Sequence, residues 1–125
     1  MNALDPRLAP GLTHEAVYEV TPDMRPPHIE GILATSRMIG LMEDTCLEAV
    51  QPLLDAGLTT VGTRVDVTHV GTARAGEKVT IRIQLTRITQ RRLLAFEVEI
   101  AAPDGVISTG THQRLIVERS RFSRS

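Results

Sequence analysis

A carboxylate within an apolar helical pattern is the first chemically unusual feature of this 125-residue sequence. The run from residue 34 to 54, ATSRMIGLMEDTCLEAVQPLL, repeats its apolar residues at helical spacing. On a helical wheel with about 100° per residue, Glu43 falls roughly 40° from Ile39, inside the apolar arc. An ionised carboxylate on a buried face needs a partner or a chemical task. Glu43 is therefore interpreted either as part of a salt bridge at the helix edge or as a catalytic group.

A histidine extends the apolar face of the strand predicted after this helix. In residues 60–70, TVGTRVDVTHV, alternation puts His69 on the face that should meet the helix. The same face carries three valines, Val61, Val65 and Val67. A lone histidine there is usually a satisfied core residue, but two titratable groups on packed elements can instead meet and transfer protons near neutral pH. Glu43 and His69 are therefore predicted to face one shared cleft.

A hydroxyl near the start of the helix is the third candidate. Thr35 lies about 40° from Ile39 on the wheel, again on the inner side, although a first-turn or capping hydroxyl is the simpler explanation. Eight residues of unbroken helix separate Thr35 from Glu43 by roughly 12 Å. The two side chains can therefore touch only if the chain bends at Gly40 or the entry turn. Otherwise they meet across a dimer seam or through a bound substrate.

Several further residues could bind substrate. Gly62 interrupts a strand pattern and indicates either a simple β-bulge or a backbone N–H free to stabilise an oxyanion. Arg114, in the last predicted strand, is either exposed or placed to hold a carboxylate or phosphate. A cluster on a predicted hairpin is either solvated or able to steer a polyphosphate: Arg87, Arg91 and Arg92.

Composition excludes several classes of function. The net charge of −1 favours neither nucleic acid nor an anionic membrane, and three aromatic residues offer no platform for stacking bases. No apolar run approaches the roughly 20 residues of a membrane span, and the start lacks the pattern of a signal peptide. Cys46 is the single cysteine, so no internal disulfide or structural zinc site is expected, nor is a cofactor. A cytoplasmic protein is predicted.

The predicted elements are one strand, one long helix and four strands joined by short turns. The strands cover residues 13–20, 60–70, 78–85, 93–101 and 106–118. Short links favour antiparallel neighbours, and one helix covers one sheet face. The pattern therefore predicts an α+β hotdog fold, a curved five-stranded antiparallel sheet around one central helix. We expect a single domain over residues 1–125, with an N-terminal arm (1–12), a flexible tail (119–125) and a homodimer covering the exposed edge.

From about residue 10 to 118 the chain resembles the fluoroacetyl-CoA thioesterase-like family of hotdog proteins. The resemblance rests on the helix motif AT-x-x-M-x-GLME-x-x-C-x-x-A, the strand motif GT-x-x-x-VTH, an Arg-Arg-Leu element at residues 91–93 and the terminal GTH-x-R. The family's catalytic Thr, Glu and His fall on Thr35, Glu43 and His69, and its backbone glycine and strand arginine on Gly62 and Arg114. The resemblance implies hydrolysis of an acyl-CoA thioester at a dimer interface without metal.

The loop before the helix departs from the family pattern. Members selective for fluoroacetyl groups carry aromatic side chains there, whereas MRPPHIEG places Pro26 and Ile29 in those positions. The resemblance therefore implies a small acyl-CoA substrate, with Ile29 against the acyl group, but does not extend to fluoroacetyl selectivity. Two alternatives stay open: a non-catalytic acyl-CoA-binding hotdog protein, and a hotdog hydratase or dehydratase acting on acyl-thioesters.

Overall fold

The computed structural model describes residues 4–122, and it confirms a five-stranded antiparallel sheet with one long helix. The strands and the helix are β1 Thr13–Glu19, α1 Thr35–Val50, β2 Leu58–Val67, β3 Lys78–Thr89, β4 Leu93–Ala102 and β5 Gly105–Glu118. The order across the sheet is β1-β3-β4-β5-β2, and every neighbouring pair is antiparallel. β1 and β2 are therefore the two edges of the sheet.

The core lies between α1 and one face of the sheet. β3 and β4 alternate as predicted, and their inward side chains are almost fully buried: Val79, Ile81, Ile83, Leu85, Leu94, Phe96, Val98 and Ile100. The helix contributes the buried residues Met38, Met42, Thr45, Cys46 and Val50. Removing these apolar surfaces from water is the main driving force that holds helix and sheet together.

The buried face of α1 is rotated from the one predicted. Ile39 is only partly buried, and the fully buried residues centre on Met42 instead. This rotation moves Glu43 to the edge of the buried face, where 38% of its side chain stays exposed. The helix ends at Val50, and a 3-10 turn, Gln51–Leu53, follows because Pro52 cannot donate a helical hydrogen bond.

β2 is shorter and less regular than the sequence pattern predicts. It ends at Val67, and a bulge between Gly62 and Arg64 shifts its pairing with β5. The bulge changes which side chains share a face: Val65 pairs with the inward-facing His112, whereas Val61 pairs with Leu115 on the opposite face, so the predicted common face of Val61 and Val65 is not kept. Val65 is nevertheless 41% exposed, because it lies on an edge strand. His69 lies just beyond the strand, in a segment whose flanking N–H groups still bond to β5 carbonyls.

The chain ends are described in part. The start of the predicted arm (residues 1–3) and the end of the predicted tail (123–125) lie outside the described residues. Leu8 is buried in the core, and Gly11 donates to the Leu85 carbonyl at 2.8 Å, so this segment packs along β3. Within residues 4–122 no helix has the length and apolarity that crossing a membrane requires.

The close pairing of β5 with β2 predicts that only glycine is tolerated at position 110. A Cβ placed there would lie 2.1 Å from the Asp66 carbonyl oxygen, and the φ of +158° is one that other residues rarely adopt. Gly110→Ala should therefore lower the free energy of unfolding by at least about 2 kcal/mol, measured by denaturant unfolding. Gly40→Ala is the control, because its Cβ would meet open space within a helix; equal losses in both variants would contradict this account.

Candidate functional site

The start of α1 and the segment after β2 bring two predicted residues together. Thr35 Oγ1 lies 2.8 Å from His69 Nδ1. Thr35 is the first helical residue and not the cap, because Ala34 occupies the cap position. Two backbone bonds fix this entry: Leu33 donates to Ala73 and Ala34 to Met24. The contact occupies Nδ1 of the imidazole, so Nε2 is the ring nitrogen left for another group.

Glu43 belongs to a second group, centred on Arg114. Its Oε2 accepts from Arg114 Nη1 at 3.4 Å. The guanidinium also donates through Nε to Thr60 Oγ1 at 2.8 Å and through Nη2 to the Thr60 carbonyl at 3.0 Å. Arg114 is only 5% exposed, and its hydrogen bonds connect β5, which carries it, to acceptors on α1 and β2. The alternative that Arg114 is an exposed residue is therefore wrong, because its side chain lies on the face of β5 that the helix covers.

Gly62 lets the carboxylate of Glu43 approach the backbone of β2. A Cβ on Gly62 would lie 2.7 Å from Glu43 Oε2 and 3.3 Å from the His112 ring. No real side chain tolerates the first contact without a shift, so the bulge and the glycine together create the space for Glu43. The bulge predicted at Gly62 is present, between Gly62 and Arg64, and the Glu43 carboxylate lies beside the Gly62 backbone.

The two groups stay apart within one chain. α1 runs from Thr35 to Val50 without an interruption at Gly40, and roughly 12 Å of helix separates Thr35 from Glu43. Glu43 and His69 make no hydrogen bond or ion pair with each other in the part of the chain that the structure describes. Within one chain the two residues therefore belong to separate hydrogen-bonded groups, Thr35–His69 and Glu43–Arg114.

The other predicted binding residues lie at the surface. Ile29 is 44% exposed and sits in a turn in which its N–H donates to the Pro26 carbonyl. The three hairpin arginines are exposed, and Arg91 adopts a left-handed backbone at the tip, with φ 57°. None of these side chains joins either polar group among the described contacts.

Two polar residues of the second group were not singled out from the sequence. His112 is fully buried, with Nδ1 2.7 Å from the Arg64 carbonyl and Nε2 3.1 Å from Arg114 Nη1. Thr60 is also buried and accepts from Arg114 with both of its oxygens. The available signal was strand parity, because His112, Arg114 and the apolar Ile116 alternate along one face of β5.

The architecture defines the chain as a hotdog-fold protein. A hot-dog-like protein from Thermanaerovibrio acidaminovorans superimposes with a TM-score of 0.80 at 21% identity, covering 93% of this chain and 94% of that one. The sequence narrows the class further. The profile of the family FlK, fluoroacetyl-CoA-specific thioesterase, matches residues 17–120. The chain belongs to this family.

Individual relatives agree with that assignment. A fluoroacetyl-CoA thioesterase from Streptantibioticus cattleyicolor is 36% identical over 94 residues, which cover 74% of this chain and 66% of that protein's length. A structure of the fluoroacetyl-CoA thioesterase FlK superimposes with a TM-score of 0.87 at 27% identity, covering 92% of each chain. A variant of FlK, solved in complex with fluoroacetate and CoA, gives a TM-score of 0.86 at 27% identity over 93% of this chain and all 100% of that one.

Cys46 gives a prediction that also matters for any assay of thiol release. Burial raises the pKa of its thiol to about 12; the charge of Arg114 lowers it slightly, and that of Glu43 raises it slightly. A buried thiol that stays protonated at pH 8 is a poor nucleophile. Folded protein should therefore not react with a thiol-reactive dye at pH 8, whereas denatured protein should release one equivalent of dye per chain. Rapid labelling of the folded protein would contradict the burial of Cys46.

Proposed function

We propose that this family member is an acyl-CoA thioesterase whose catalytic site forms between two copies of the chain. The observation that carries the proposal is the division of the three candidates within one chain. Thr35 and His69 form a bonded pair at the start of α1, and Glu43 is held two helical turns away beside the edge strand. The Thr35–His69 pair lacks a carboxylate, and Glu43 lacks an imidazole and a hydroxyl.

Pairing of β2 with a second β2 would join these halves. β2 is an edge strand, and its middle is exposed from Gly62 to Asp66. An antiparallel pair related by a two-fold axis at Val65 places Arg64 of each copy opposite Asp66 of the other, a favourable cross-strand charge pair. The same register places Gly62 opposite Thr68 of the second copy, next to its His69. Glu43 would then face the Thr35–His69 pair of the partner.

The chemistry follows from the groups that this pairing assembles. Glu43 either attacks the thioester carbonyl directly or removes a proton from an attacking water. The C–S bond breaks, the acyl group leaves as a carboxylic acid with the oxygen of water, and the CoA thiolate takes up a proton. His69 carries that proton, Thr35 orients the imidazole or the carbonyl, and the Gly62 N–H stabilises the oxyanion. Arg114 holds Glu43 in position.

The substrate is proposed to be a small acyl-CoA. The relatives act on fluoroacetyl-CoA, and one FlK variant was solved with fluoroacetate and CoA, so a CoA thioester is the natural ligand class. Ile29 is proposed to border the acyl group and Arg114 to lie near the carboxylate product. The single-domain organisation, the arm and the tail are kept as proposals. Cytoplasmic localisation is also proposed, since the lone Cys46 suits a reducing compartment.

One observation favours the non-catalytic alternative. Glu43 contacts Arg114, and a carboxylate engaged in an ion pair can be a structural element of an acyl-CoA-binding protein. Binding without release of thiol from any acyl-CoA in a panel would support that function. Formation of an enoyl-CoA instead of free CoA would support a hydratase or dehydratase.

The role of Glu43 is tested by Glu43→Gln. Because the amide can neither attack the carbonyl nor accept a proton from water, kcat on a short acyl-CoA should fall at least about a hundredfold. Affinity for CoA, measured by calorimetry, should stay close to that of the original protein. Asp44→Asn is the matched control, because Asp44 is the exposed neighbour on the same helix. Unchanged turnover in Glu43→Gln would reject the assignment.

Mixing of two inactive variants tests the shared site. Glu43→Gln and His69→Ala should each be inactive alone, because every site then lacks one group. When the two are unfolded together and refolded, half of the dimers are mixed, and each mixed dimer contains one intact site. About a quarter of the original activity should therefore return, as isologous pairing requires. A mixture as inactive as its components would show that one chain supplies the whole site.

A further inference from the structure

The buried hydrogen bonds of His112 define its protonation state. Nδ1 lies 2.7 Å from the Arg64 carbonyl oxygen, which can only accept, so Nδ1 carries a hydrogen. Nε2 lies 3.1 Å from Arg114 Nη1, which can only donate, so Nε2 carries a lone pair. His112 is therefore neutral, with its single proton on Nδ1. An imidazolium would point an N–H at the guanidinium and lose this bond.

This imidazole is the acceptor that completes the packing of Arg114. The other donors of the guanidinium are oriented by Thr60, and Nη1 alone is directed between His112 and Glu43. A ring nitrogen at 3.1 Å fixes the Nη1 group more tightly than the carboxylate at 3.4 Å. His112 therefore sets the position from which Arg114 reaches Glu43.

We propose that His112 is a positioning residue, which as the neutral Nδ1–H tautomer holds Arg114 against Glu43 and on protonation releases that contact. The proposal rests on the catalytic role of Glu43 and extends it with a pH-dependent support. His112 does not touch substrate. Activity therefore falls at low pH because His112 becomes protonated, although His112 is buried and takes no part in the reaction itself.

The surroundings of His112 favour the neutral form. On β5 the cationic Arg114 lies directly against it, and α1 contributes the carboxylate of Glu43. β4 contributes the ring of Phe96, whose centroid lies 6.4 Å away in a stacked arrangement, and β2 contributes the Arg64 carbonyl. Burial lowers the pKa of His112 from its ordinary 6.5, the Arg64 carbonyl opposes this, Arg114 lowers it further, and Glu43 again opposes.

The sign of the pH dependence follows from that shift. In the unfolded chain His112 binds a proton at its ordinary pKa of 6.5, whereas in the folded protein it does so only at lower pH. The unfolded state therefore binds more protons below pH 6.5. His112 leaves the stability unchanged above that pH and reduces it progressively as the pH falls below it.

Two substitutions separate positioning from packing. In His112→Gln the side-chain oxygen can reach the place of Nε2 and accept from Arg114, while nothing titrates. In His112→Asn the amide N–H can replace Nδ1–H toward the Arg64 carbonyl, but no atom reaches Arg114. Both variants lose the ring that stacks on Phe96, so the packing loss is matched between them.

The decisive experiment combines imidazole ¹⁵N NMR with kinetics on the full chain. At pH 8 the His112 signal, assigned by its absence in His112→Gln, should report a protonated Nδ1 and a bare Nε2. His112→Gln should keep kcat on a short acyl-CoA within about threefold of the original protein at pH 8. His112→Asn should lose about tenfold or more in kcat with little change in KM, as loss of a bond to a charged group implies. The loss of kcat in His112→Asn should be present at every pH.

The outcomes distinguish this proposal from the proposed function. An Nε2–H tautomer or an imidazolium at pH 8 would overturn the role of His112 whatever the activity. Equal losses of kcat in the Gln and Asn variants, or unchanged kcat in His112→Asn, would overturn it as well. If the original protein hydrolyses no acyl-CoA, the thioesterase proposal fails, and with it the positioning role, while the NMR result still decides whether His112 is the neutral acceptor for Arg114.

Discussion

A buried guanidinium is the constraint on which the polar interior of this protein depends. Arg114 is always charged, and a charge at 5% exposure is stable only when its donors are bonded. Thr60 accepts two of these bonds, His112 and Glu43 accept at Nη1, and together they connect β5, β2 and α1. Gly62, at the bulge in β2, belongs to the same arrangement, because a side chain there would occupy the space of the Glu43 carboxylate. One cation therefore determines where the helix carboxylate lies.

Within one chain the candidate residues form two separate polar groups. The helix is uninterrupted from Thr35 to Val50, so roughly 12 Å separates its hydroxyl at Thr35 from its carboxylate at Glu43, and Nδ1 of His69 is bonded to the hydroxyl. Glu43 lies beside Gly62 of the exposed edge strand β2, and His69 lies in the segment that follows this strand. An unpaired edge invites pairing with another strand. Pairing of two chains at this edge would cover the exposed strand and would also assemble the proposed site.

Much of the fold could be predicted from periodicity. The alternation in β3 and β4 and the single amphipathic helix determined the layers. The exact face of the helix could not be read from the wheel, because burial depends on how the sheet curves around it. The bulge in β2 is a tertiary feature that placed Val61 and Val65 on opposite faces, although the sequence pattern predicted one common face. His112 was missed for a related reason: a polar residue in a strand shows its burial only when its partner on the next strand is known.

The central claim is that Glu43 of one subunit faces the Thr35–His69 pair of another across paired β2 strands. A crystal structure of the protein with CoA bound measures this directly. The account predicts β2 paired with a symmetry-related β2, and Glu43 within about 3 Å of the partner's His69, or linked to it through one water. A structure in which the β2 edges stay unpaired, with Glu43 and every His69 in separate surroundings, would contradict it.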